Sequence, residues 1–217
     1  MDAQVIDVIF FVAILIMSVV IHEVSHGFMA EHLGDDTARR AGRLTLNPLK
    51  HLDLFGSIIL PTLLYFTAGF VFGWAKPVPY NPNNLRDRRW GTIAVASAGI
   101  LANLSIAVLF GLLIRFAPQL GLPVYNPFLI LPFYKITVNI VIINIALTLF
   151  NLVPIPPLDG SKIVLNLLPR SFHRLGEFFE RYSLIFLLIF IVFFSNYLYP
   201  ILTFLFKLIT SLPFSSF

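Results

Sequence analysis

The 217-residue chain contains no cysteine, which excludes disulfide frameworks and thiolate metal sites and leaves redox compartment unreadable. Charge is the second scarcity: Asp, Glu, Lys and Arg make up 12% of the residues, against about 25% in an average soluble domain. Hydrophobic residues take 58%, phenylalanine alone numbers 23, and the mean hydropathy is +0.86. A soluble domain of this length cannot hide that much apolar side chain. The expected class is therefore an all-α polytopic membrane protein, read as one integral-membrane domain over residues 1–217. No internal repeat or low-complexity linker divides it. The first apolar run carries Asp2 and Asp7 rather than a basic leader, and no small-residue cleavage site follows it. It is expected to be a span and not a removable signal peptide. The net charge of +4 and pI near 9.5 would suit a nucleic-acid partner in a soluble protein. Here the basic residues lie in loops between apolar runs, the pattern that orients a chain in a membrane. No nucleic acid is expected.

Apolar runs cover residues 5 to about 33, 55–72, 92–116, 128–150 and 184–209, giving about four to five transmembrane helices. The last contains Ser195, Asn196 and Pro200 and reads either as one kinked helix or as two partial ones. Arg39, Arg40, Arg43 and Lys50 follow the first run, and Lys76, Arg86, Arg88 and Arg89 follow the second. None lies in 117–127, whereas Lys162, Arg170, Arg174 and Arg181 follow the fourth run. If 55–72 crossed the membrane, the first two groups would sit on opposite faces. If it dips in and returns, all three share the cytoplasmic face. Pro61, Gly69 and Gly73 also disfavour a straight helix there. A re-entrant segment is expected. Among the loops, Gly34-Asp35-Asp36 stops the first helix, and Arg43–Leu46 alternates as a short strand would. Trp74 to Asn84, with Pro77, Pro79 and Pro82, should be extended.

His22-Glu23-Val24-Ser25-His26 is an H-E-x-x-H sequence inside an apolar helical run. Positions i and i+4 share one helical face, so two imidazoles can grip one metal while the glutamate reaches a water on it. Ionisable groups inside a span are costly and point to function. Zinc in a catalytic site takes three protein ligands and an open position. The stretch Asn151-Leu152-Val153-Pro154-Ile155-Pro156-Pro157-Leu158-Asp159-Gly160 offers a candidate in Asp159. Its prolines stop the ladder, and Gly160 permits a tight turn. Asp159 also fits a helix N-cap, and Asn151 a C-terminal cap.

Taken in order, His22-Glu23-x-x-His26 and Asn151-x-x-Pro154-x-Pro156-x-Leu158-Asp159-Gly160 resemble the two motifs of the site-2 proteases, intramembrane zinc metalloproteases that cut membrane-spanning helices. Residues 42–51 and 73–79 are similar to a compact bacterial branch of that family, and the likeness runs over about residues 15–165. The chain departs from the family in Ala98-Gly99-Ile100-Leu101-Ala102-Asn103, where a proline commonly follows the glycine. It also has no loop long enough for a soluble peptide-binding domain. The resemblance implies one Zn²⁺ per chain on His22, His26 and Asp159, Glu23 as the base, and Asn151 polarising the scissile carbonyl. It further implies regulated intramembrane proteolysis in a bacterial cell membrane, with the active site towards the cytoplasm. The expected partners are a transmembrane protein substrate, membrane lipids, and a second copy or a separate regulatory partner. An extended substrate could pair with the edge near Arg43–Leu46. A metal-ion transporter using the same ligands is the alternative, but it would be expected to show paired repeats, and none is found. Of the other polar residues, His51 and Asp53 read as a surface-loop pair and Lys135 as a snorkelling lysine. Asn103, Asn139 and Asn144 read as interhelical hydrogen-bonders, with Asn103 placed near the site only as a lesser alternative. Arg86, Arg88 and Arg89 read as topology determinants.

Overall fold

Two features of the N-terminal run set its geometry: it has no interior proline or glycine before Gly27, and a Gly-Asp pair ends it. In a computed structural model, which describes residues 3–59, 63, 75–122, 127–169 and 172–214, it forms α1, Ala3–His32. At 1.5 Å per residue this helix is about 45 Å long, so the His22–His26 turn lies towards its far end. Gly34, at φ +110°, closes it. Its N–H donates to Glu31 O, and Asp35 N–H donates to Ala30 O, which satisfies the last carbonyls. The remaining helices are α2 (Thr37–Arg40), α3 (Arg88–Arg115), α4 (Pro127–Leu152), α5 (Asp159–Leu167), α6 (His173–Arg181), α7 (Ser183–Ile189) and α8 (Leu198–Thr210). Four stretches are long and apolar enough to cross a membrane: Val5–His32, Arg88–Arg115, Pro132–Leu152 and Ser183–Thr210. Their outward faces carry large exposed apolar residues such as Val8, Leu109, Leu188 and Phe193. The chain is an integral membrane protein.

The last of these is a single helical run whose pitch changes midway. A π-helical stretch at Phe190–Phe194 and a 3₁₀ turn at Ser195–Tyr197 separate α7 from α8. Pro200 is not the cause. It is the third residue of α8 and lies beyond the stretch where the pitch changes.

Helix α3 is the centre, packing on α1, α4, α5 and α8. Small residues let the helices approach. A methyl group on Gly111 would lie 2.3 Å from Ile209 Cγ2 of α8, and Ala107 is fully buried in a cluster with Val138, Val141, Ile145 and Phe206. Polar contacts fix the order of crossings. Arg86 N–H donates to Leu33 O over 2.9 Å, and Leu85 packs with Ala30 and Val95, so α3 begins where α1 ends. Lys135 of α4 pairs with Asp7 of α1 at the opposite end, and Asn144 Nδ2 donates to Ser18 Oγ over 2.9 Å between the same helices. Leu187 and Phe190 pack on Val153 and Leu158, while Arg115 donates to Leu208 O. The chain therefore leaves the α1 end and returns to it between Leu33 and Arg86. Residues 60–62 and 64–74 lie outside the described residues, and the re-entrant path expected for 55–72 lies there with them. Within that span, Leu54–Ile59 is a π-helical turn opened by Asp53, whose Oδ1 accepts from Gly56 N–H.

Several loop expectations are corrected. Arg43–Leu46 is not a strand, and none occurs among the described residues. A strand needs a ladder partner. Here Arg43 N–H donates to Ala38 O, and the Thr45 carbonyl is bound by His51 Nε2 at 2.8 Å. His51 is buried rather than on the surface, at 1% exposure. Residues 75–81 are non-helical as expected, but Pro82–Asn84 forms a 3₁₀ turn, because Asn81 caps it by accepting from Asn83 N–H. Arg89 does more than orient the chain: it donates to the Asn166 and Leu167 carbonyls and closes the C-terminus of α5. Lys135 is paired with Asp7 instead of simply reaching for solvent.

With no native cysteine to remove, single cysteines test the crossing order against an impermeant thiol reagent in sealed cells. Leu49→Cys and Asn83→Cys should share one accessibility, and Leu120→Cys should show the opposite. Differing accessibility at Leu49 and Asn83 would refute the return of the chain to the α1 end.

Candidate metal centre

Within α1 the i, i+4 spacing stacks His22 and His26 on one face, which turns towards α3, with both side chains buried. Asp159 comes from the first turn of α5. Pro154, Pro156 and Pro157 end α4, and the chain restarts as a helix with Leu158 at the N-cap position. Asp159 therefore caps nothing. The residue is buried, and its side chain points at the imidazoles. Gly160 is needed for closeness rather than for unusual dihedrals: a Cβ there would lie 2.3 Å from Leu152 O.

His22 Nε2 and His26 Nε2 lie 3.0 Å apart, and Asp159 Oδ2 is 3.1 Å from the first and 3.0 Å from the second. Among the described residues this is the group of side chains arranged to hold a metal ion. Ligand atoms about 2.0–2.1 Å from a tetrahedral ion sit about 3.3 Å from one another. The observed separations fit that spacing, and a His₂–carboxylate set is one that zinc accepts. Both imidazoles are oriented from behind. His26 Nδ1–H donates to Val95 O at 2.7 Å; a carbonyl only accepts, so the proton is on Nδ1 and Nε2 keeps its lone pair. His22 Nδ1 lies 3.2 Å from Asn103 Oδ1 and is set the same way. Between these two supports lies Gly99, where a Cβ would be 2.6 Å from His26 Cε1 and Nε2 and 2.7 Å from His22 Cε1. Val95, Gly99 and Asn103 follow each other at four-residue steps, so one face of α3 supplies a carbonyl, a gap and an amide.

Glu23 is half-buried beside the cluster, and its Oε2 accepts from Val78 N–H at 2.9 Å. Val78 stands between Pro77 and Pro79, so this is the only backbone donor that the tripeptide has. Two side chains hold that segment in place. Buried Arg43 donates from Nη2 to Lys76 O at 2.7 Å and to Pro77 O at 3.3 Å. Asp35, fully buried, accepts from Asn81 N–H at 2.6 Å and from Asn84 Nδ2 at 2.8 Å. Burial opposes charge on Asp35, but these donors and Thr37 prevail and keep its pKa below the usual value. Asn151, at the end of α4, stands apart from the cluster's contacts: its Nδ2 donates to Leu147 O one turn back at 3.0 Å. Of the residues the motifs single out, the structure brings His22, His26 and Asp159 together and leaves Asn151 apart. The sequence reading missed Gly99 and the Val95 carbonyl, and gave Asn103 too little weight. The four-residue spacing of Gly99 and Asn103 was the available signal.

The model of peptidase family M50 matches residues 129–194, which include the Asn151 and Asp159 stretch. The chain is 37% identical over 197 residues to "Putative zinc metalloprotease YwhC" of Bacillus subtilis (strain 168), covering 89% of this chain and 85% of that protein. It is 36% identical over 146 residues to "Putative zinc metalloprotease Rip2" of Mycolicibacterium smegmatis, covering 67% of this chain and 52% of that protein. No solved structure matches it. With four membrane-spanning stretches, a buried His₂–Asp trio and identity over nearly its whole length to a protein so named, the chain belongs to peptidase family M50, the site-2 protease family, and is a membrane zinc metalloprotease.

Proposed function

We propose that this protein hydrolyses peptide bonds within or beside the membrane-spanning segments of other proteins, the chemistry of regulated intramembrane proteolysis. The observation that carries this reading is the placement of the trio. His22, His26 and Asp159 converge inside a helical bundle, with Glu23 alongside. A site so placed is reached by a substrate that is itself in the bilayer.

His22, His26 and Asp159 would hold one zinc ion. When bound, zinc supplies Lewis acidity that brings a coordinated water to ionise at about pH 7. Glu23 takes the water's proton and delivers it to the leaving amine. The Val78 N–H holds one oxygen of Glu23, which leaves the other oriented for that exchange. An amide carries two N–H donors, and Asn151 spends one on Leu147 O. The second is free to donate to the scissile carbonyl as charge grows on its oxygen. Peptide bonds inside a helix are sheltered by its own turns, so the substrate must unwind locally before attack. Arg39, Arg40, Arg43, Lys50, Lys76, Arg86, Arg88 and Arg89 all lie between α1 and the first turn of α3, at the end that carries the trio. The positive-inside rule supports a cytoplasmic position for that end, and the family resemblance supports a bacterial cell membrane. The partners are a transmembrane substrate and the surrounding lipids, with selection left to the bundle, a second copy or a separate regulator.

Glu23→Gln should retain metal and fold yet lower cleavage of a single-span substrate about 10²–10⁴-fold; turnover near wild type would remove Glu23 from the base role. Zinc per chain should fall in Asp159→Ala and persist in the His51→Ala/Asp53→Ala double variant. The reverse result would move the third ligand to the loop. Gly99→Ala should also lose zinc, since the added carbon displaces both imidazoles. A full zinc complement in that variant would mean that α3 yields to it.

A further inference from the structure

The free oxygen of Asp159 is engaged. Oδ2 faces both imidazoles, while Oδ1 lies 3.0 Å from Lys162 Nζ, one helical turn further along α5. This is not an ordinary surface ion pair: the lysine side chain is 40% exposed, but that of Asp159 is only 5% exposed. Its i, i+3 spacing, acid before base, is one that a helix favours, but here the carboxylate so held is the one that faces the two imidazoles.

We propose that Lys162 is a positioning residue that keeps Asp159 a one-oxygen ligand of the metal. A carboxylate with both oxygens free can turn and chelate, which raises the coordination number and consumes the position a water needs in a catalytic zinc site. With Oδ1 bound to an ammonium group, only Oδ2 is presented.

This rests on the trio being a metal site, and the test separates the two ideas. The full chain in detergent is loaded with cobalt(II), whose visible absorption is strong in four-coordinate sites and weak at higher coordination. Wild-type protein should bind one equivalent with the strong spectrum; failure to bind cobalt at all would count against the metal site itself. Lys162→Met should bind about 10–100-fold more weakly, as for other lost outer-shell partners, and with the weak spectrum. Lys162→Arg, which keeps the charge and the donors, should restore both. Unchanged affinity and spectrum in Lys162→Met would overturn the proposal. If that variant does not fold, Lys162→Gln is read in its place. Failure of both neutral variants to fold makes Lys162 structural and overturns it equally.

Discussion

A buried carboxylate must have partners, and two of those of Asp159 stand on another element. Water is scarce at this depth, so a charge left alone would be prohibitively costly. Asp159 meets two imidazoles from α1 and an ammonium group from its own helix. That requirement ties the end of α1 to the start of α5, more than 130 residues later, and so dictates how many times the chain crosses between them. Two crossings, α3 and α4, satisfy it. A third would carry the carboxylate to the other side of the bundle. The small residues of α3, the Arg86–Leu33 bond and the Lys135–Asp7 pair all agree with this one constraint.

The spans and the histidine pair were legible because their signals are local. Twenty apolar residues in a row, or two histidines four apart, need no knowledge of the fold. The third ligand was reachable only through the resemblance of the 151–160 stretch to the family motif, since Asp159 taken alone fits a helix N-cap. What escaped was whatever depends on a neighbouring element. His51 looks like a loop residue until the chain folds Thr45 over it. Arg43 and Arg89 look like orientation charges until carbonyls from 76–77 and 166–167 arrive. Arg43–Leu46 alternates as a strand does, yet alternation specifies a face and not a ladder, and no strand lies alongside.

Absence of side chain was the hardest feature to read. Gly99 lies in a run of Ala, Gly and Ser that would pass for ordinary close packing in a membrane helix. Its significance is the space it leaves for the two imidazoles, which also lets His26 reach the Val95 carbonyl. Nothing in the spacing of H-E-x-x-H says which helix will stand behind it, so the supporting face of α3 emerges only with the packing. By contrast, Gly160 was recognised as necessary, but for a different reason: it relieves crowding against Leu152 and Val153 rather than supplying a rare backbone conformation.

The bond between Glu23 and Val78 has an unusual isolation. Proline has no amide proton, so Pro77 and Pro79 leave Val78 as a lone exchangeable hydrogen between two silent neighbours. In amide exchange, the stretch 77–79 carries that one backbone hydrogen alone. Its protection reports whether the glutamate carboxylate is engaged or released, and it does so in the unlabelled, unmodified protein. The local sequence thus provides a built-in probe of the Glu23 carboxylate.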